Sequence, residues 1–131
     1  MGTLFWEYYT LAEKATFASL EEFVSSIELK ENARRGVRGM AESVLQLASR
    51  LIGARDDWQD TILSLVKEEI LPPPLIGELM DVMRISVDPW RIDDIIFYSM
   101  LVRTMETLEQ VYLLLTGKSE GQPTSIKSFN K

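Results

Sequence analysis

The 27 residues from Trp90 to Thr116 contain neither Gly nor Pro, so nothing in them interrupts a helix. Trp90, Phe97, Leu101, Met105, Leu108, Tyr112 and Leu115 recur at sevens, fours and threes. That spacing puts them on one side of a helix. Ile95, Ile96, Val102, Val111 and Leu114 widen the stripe, which predicts burial on more than one side. Asp88 is placed to cap the helix, with Pro89 at its first position. Asp93 and Asp94 add negative charge in the first turn, where the helix dipole favours it. Gly117 stands where a C-terminal cap belongs. At ~1.5 Å per residue the element is about 40 Å long, and the rest of the chain is expected to organise around it.

The totals narrow the chemistry. A chain of 131 residues makes one domain with its own core. It has no cysteine and no histidine. Disulfides, thiol catalysis, imidazole-based triads and imidazole- or thiolate-held zinc are therefore excluded. The residues call for no cofactor and no metal. Glu68-Glu69 and Asp93-Asp94 are adjacent pairs, and neighbours on a helix point about 100° apart, so neither chelates alone. No apolar run approaches the ~20 residues of a membrane span, and the start lacks a signal-peptide layout. A cytoplasmic protein with no membrane partner is expected. The net charge is −6, and residues 118–131 carry three Lys and one Glu, or +2, leaving −8 on the remainder. That balance disfavours non-specific nucleic-acid binding.

Taken in order, Leu4, Phe5, Tyr8, Tyr9, Ala12 and Ala15 predict a first amphipathic helix over 3–17. Ser19-Leu20-Glu21-Glu22 is a capping-box pattern that restarts a short helix with Leu20, Phe23, Val24 and Ile27. A long helix follows over 29–53, in which Ala33, Val37, Met40, Val44, Leu47 and Leu51 form a narrow coiled-coil-like seam. Gly36 and Gly39 lie inside it. Each costs ~1 kcal/mol relative to Ala, and close approach of another helix is the expected compensation. Lys30, Arg34, Arg35 and Arg38 make a basic patch at its start: either a solvated face paired with nearby Glu, or a contact for an anion or an acidic partner. Asp57 is placed to cap a helix over 58–71. Pro72-Pro73-Pro74 forces a break, and a further helix spans 75–86. Residues 1–117 therefore read as an all-α, up-and-down bundle of four to five helices, and 118–131 as a disordered polar tail.

The order of these features carries a resemblance. The entry segment Ser19 to Val24 comes first, then the helix from Asn32-Ala33-Arg34-Arg35 to Leu51-Ile52. Trp58 to Ile70 leads into Pro72–Pro74 and Leu75-Ile76-Gly77-Glu78-Leu79-Met80, followed by Arg84 and Trp90-Arg91-Ile92-Asp93. Over residues 4–116 the chain resembles the HEPN superfamily, in particular its HepT-like branch of small helical proteins. The resemblance implies a HEPN-like helical bundle that forms homodimers. It also implies either ribonuclease activity or a toxin–antitoxin-like pair with a nucleotidyltransferase.

The family's catalytic signature is an Arg followed four to six residues later by a His, just before the last long helix. Here Arg84 matches the arginine, and the positions open to the His hold Pro89, Trp90 and Arg91. Arg84, Asp88, Arg91 and Asp93 are thus a degenerate motif region. Metal-free RNA cleavage needs a base and an acid titrating near neutrality, and guanidinium does not give up its proton. The expected function is non-catalytic: homodimerisation and protein binding. The dimer interface is expected at Met80, Met83, Ile85, Val87 and Trp90, where large apolar groups stand beside charges of both signs. Two rivals stay open, a divergent ribonuclease using Arg84 and Asp88, and a subunit binding RNA weakly through Lys30, Arg34, Arg35 and Arg38. Asp94 lies near the apolar stripe: if buried it needs a partner, Arg38 or a backbone amide, and the alternative places it in the first turn at the edge of the stripe.

Overall fold

The computed structural model describes residues 2–119. Six α-helices form an all-α bundle, with no strand among those residues. They are α1 (Gly2–Thr16), α2 (Leu20–Ser25), α3 (Ile27–Ile52), α4 (Trp58–Lys67), α5 (Ile76–Ser86) and α6 (Asp94–Ser119). Single 3₁₀ turns at Pro73–Leu75 and Pro89–Arg91 precede α5 and α6.

Local signals set several boundaries. Ser19 and Glu22 exchange the two hydrogen bonds of a capping box at the start of α2. Asp57 accepts from Asp60 N and starts α4. α4 ends at Lys67, short of the expected 71. Glu69 takes a left-handed φ of 61°. Ile70 N then reaches back to Leu65 O, and Glu69 N to Val66 O. This is a Schellman ending, which a run of helix formers does not advertise.

The organising element is α3, not the last helix. It packs against α1, α2, α4, α5, α6 and the Pro89–Arg91 turn. Its glycines explain the tightest contact. A Cβ on Gly36 would lie 2.7 Å from both Tyr8 O and Ala12 N, and one on Gly39 would enter the Tyr8 ring. The close approach predicted from the glycine cost is therefore present, and the helix that makes it is α1, backbone to backbone at Gly36.

Directions follow from the contacts. Gly36 faces Ala12 and Gly39 faces Tyr8, so α1 and α3 are antiparallel. Phe5 stacks on Tyr112 while Tyr98 donates to Ala18 O, so α1 and α6 are antiparallel as well. Glu78 accepts from Arg103 and Thr107, and Asp81 pairs with Arg103, which makes α5 antiparallel to α6. The four principal helices α1, α3, α5 and α6 thus alternate in direction along the chain. Phe5, Phe23, Met40, Ile62, Leu79, Met83, Phe97, Leu101 and Leu108 fill the core between them.

The last helix departs from expectation at both ends. It starts at Asp94, because Pro89–Arg91 turns as 3₁₀ and Ile92 is extended. Asp88 caps nothing with its side chain. Asp93 does so instead, its Oδ2 accepting from Ile95 N at 3.0 Å and Ile96 N at 3.4 Å. Gly117 lies inside the helix, which runs on through Lys118 to Ser119. Of the tail expected to be disordered, those two residues are helical and 120–131 lie outside the described residues.

Candidate functional site

The segment that leads from α5 into α6 is held by one side chain on α3. Arg34 is 5% exposed. Its Nε donates to Pro89 O at 2.9 Å, and its Nη2 donates to Ile92 O at 2.7 Å and to Asp94 Oδ1 at 3.0 Å. The guanidinium lies 4.7 Å from the centre of the Phe97 ring, a cation–π distance. One planar fork thus serves two carbonyls of the connector: Ile92 O, and Pro89 O, which also accepts from Ile92 N within the 3₁₀ turn at 3.2 Å. Lys30, one turn earlier on α3, donates to Asp94 Oδ2 at 3.1 Å. Asp94 therefore bridges Arg34 and Lys30. The partner is neither Arg38 nor a backbone amide: Arg38 points outward and pairs with Glu42 at 3.0 Å.

These groups floor an open cleft of about 450 Å³. Ile27 and Trp90 stand at its apolar side, 81% and 44% exposed. Trp90 is oriented by its indole N–H, which donates to Glu31 Oε1 at 3.0 Å. Asp93 completes the lining.

Burial works to raise the Asp94 pKa. The hydrogen bonds from Lys30 and Arg34, with their charges, outweigh it and hold the carboxyl below its ordinary value of 3.8. Glu78 is likewise held below 4.5, first by its hydrogen bond from Arg103. A carboxyl whose folded pKa is lowered adds stability that is complete above its unfolded pKa. That stability is lost as pH falls through the lower, folded value. Asp94→Asn should therefore flatten the fall in unfolding free energy between about pH 5 and pH 3 relative to wild type. Urea titrations across that range measure it, and an unchanged slope would mean that the Lys30–Asp94–Arg34 bridge contributes nothing to acid stability.

The other predicted site residues fall into separate places. Arg84 is exposed on α5 and pairs with Asp81 at 3.1 Å. Asp88 and Arg91 face each other at 4.0 Å at the surface. The basic patch is split, with Arg34 buried and Lys30 engaged by Asp94, while Arg35 and Arg38 face outward. Among the interface candidates, Met83 is fully buried, which removes it from any contact surface. Met80, Ile85 and Val87 are half-buried against the core. Val82 and Met83 share the inner face of α5, so a methionine that reads as rim from the sequence is core in the fold. Trp90 alone of the five stands well out. Sequence reasoning missed the role of Arg34 and the place of Glu31. The signal for Arg34 was its spacing: Arg34, Ala41 and Ala48 repeat at sevens and all three are buried.

Among the described residues no group of three or more Asp or Glu is arranged to hold a metal ion. No described helix is long and apolar enough to cross a membrane. No family model, no curated protein and no solved structure matches the chain.

Proposed function

We propose that this chain is a HEPN-like helical protein of the HepT-like kind that has lost catalysis and acts by forming a homodimer and binding a protein partner. A toxin–antitoxin-like pair with a nucleotidyltransferase is the setting this implies. One observation carries the reading: the connector into α6 has two of its carbonyls held by Arg34 and an aromatic group left outside. Arg34 occupies Pro89 O, Ile92 O and Asp94, while Trp90 and Ile27 stand exposed beside the cleft. Exposed apolar groups ringed by charge of both signs favour a contact surface. The chemistry of the same region disfavours proton transfer. The chain has no imidazole, Asp94 is held ionised by its two cations, and Arg84 stays with Asp81 on the surface.

The purified protein is expected to sediment as a dimer at micromolar concentration. Trp90→Ala should raise its dissociation constant about tenfold or more while changing stability little, since the side chain is nearly half exposed. It should not cleave RNA above background with or without divalent metal. A clean monomer would remove the dimer. Cleavage that vanishes in Arg84→Ala or Asp88→Ala would return the chain to the ribonucleases. RNA binding through Arg35 and Arg38 is expected to be weak and lost at moderate salt, because so few phosphates are neutralised.

A further inference from the structure

The outer side of the α1–α6 pair presents a second surface, built from other residues. On α6, Val102, Glu106, Glu109 and Leu113 follow a four–three–four spacing, which at about 100° per residue is one stripe. Val102 and Leu113 are 52% and 53% exposed. On α1, Trp6, Thr10 and Glu13 begin the same spacing, and Phe17, one residue past the helix end, completes it. Trp6 and Phe17 are 37% and 81% exposed.

The two stripes lie side by side. Trp6 packs edge-on to Tyr112 at 6.2 Å and tilts over Tyr9 at 5.4 Å. Tyr9 lies where the stripes meet: burial first, and then the charges of Glu109, Glu13 and Glu106, push its hydroxyl pKa above the ordinary value. None of these three carboxylates makes an ion pair among the described residues, unlike Glu42, Glu68 and Glu78 elsewhere on the surface. Each stripe is apolar at its two ends, eleven residues apart, and polar between them, so a third helix seated on this antiparallel pair would meet apolar groups at both ends and negative charge in the middle. The unpaired carboxylates decide the charge of that helix, since complementary flanks are attracted and acidic ones repelled.

We infer that the α1–α6 face docks an amphipathic helix of a partner protein, one with apolar groups about three turns apart and Lys or Arg between them on the same face. The aromatic rims Trp6 and Phe17 add a preference for cationic flanks, through cation–π contact.

A synthetic probe helix of about three heptads, with Leu about three turns apart and Lys between them on the same face, tests this against the full chain by fluorescence anisotropy. A twin with Glu in place of Lys is the comparison. The Lys probe should bind, and Val102→Ser/Leu113→Ser and Glu106→Lys/Glu109→Lys should each weaken it about tenfold or more. All four positions are surface groups, so both variants should melt close to wild type. Glu21→Lys/Glu28→Lys, with the same charge change on another face, should leave affinity unchanged. So should Trp90→Ala, which separates this surface from the dimer contact proposed above. Equal binding of the Glu twin, or equal weakening by the Glu21/Glu28 pair, would overturn the inference. Tighter probe binding after deletion of 120–131 would give the face to the chain's own end and overturn it too. Self-association abolished by Val102→Ser/Leu113→Ser would give it to a second copy, with the same consequence.

Discussion

Arg34→Met is expected to lower the unfolding free energy by about 3 kcal/mol, the low end of the cost of breaking a buried ion pair. Methionine keeps most of the volume and the contact with Phe97, so the loss is polar. It leaves Ile92 O without its Arg34 donor, Pro89 O with Ile92 N alone, and Asp94 with Lys30 alone. Asp94 is a third exposed, so water relieves part of its charge, which places the estimate at the low end. Arg34→Lys should recover only a minor share. One ammonium is a point charge and cannot serve two carbonyls and a carboxylate in the plane that the guanidinium fork spans. Urea unfolding with an unchanged m-value gives the number. Amide exchange at Ile95 and Ile96 should rise in the same variant, because the Asp93 cap stands on a connector that Arg34 holds in place. A loss below about 0.5 kcal/mol, the range of an ordinary surface substitution, would show that the connector keeps its shape without the arginine.

The second large effect is expected at Gly36. Alanine is the better helix former by ~1 kcal/mol, so helix propensity alone predicts that Gly36→Ala stabilises. The fold predicts the opposite sign. The new Cβ would meet the backbone of α1 at 2.7 Å on two atoms and Ala12 Cβ at 2.9 Å. Backbone cannot rotate aside, so α1 must move off α3, and overpacking of this kind costs roughly 1–3 kcal/mol. Set against the ~1 kcal/mol propensity gain, this leaves a net loss of up to about 2 kcal/mol. Gly39→Ala would place its Cβ 2.3–2.4 Å from Tyr8 Cγ, Cδ1 and Cδ2, the root of the ring and not the far end of a flexible chain, so it too should lose stability. Gly117→Ala is the control. It lies inside α6 with nothing within 4 Å, and should gain up to ~1 kcal/mol. Thermal or urea unfolding of the three variants reads the signs directly. Stabilisation by all three would mean that propensity outweighs the close approach.

What the amino-acid order determined by itself is what depends on neighbours three or four residues away. The Ser19–Glu22 box, the Asp57 cap, the helical periodicities of α1, α3 and α5 and the break at Pro72 all rest on such short-range bonds and sterics, and each was legible. Gly36 and Gly39 also announced that a helix must come close, though not which one. The absence of histidine and cysteine excluded whole classes of chemistry before any fold was known. What only the tertiary structure decided is where local signals tie. Asp88 before Pro89 and Asp93 before Asp94 are both plausible helix starts, and the first has the stronger local pattern. The choice falls to Asp93 because Arg34, 55 residues before Pro89 in sequence, captures the Pro89 carbonyl and with it the Ile92 carbonyl. The same long-range contact turns a residue of a basic patch into a buried staple and makes Asp94 its counter-ion. Met83 and Trp90 repeat the lesson from the apolar side. Both read as exposed apolar groups near a connector, yet the inner face of α5 buries one, while the 3₁₀ turn holds the other out beside Glu31. Burial is a property of what packs opposite, and no residue carries that information about itself.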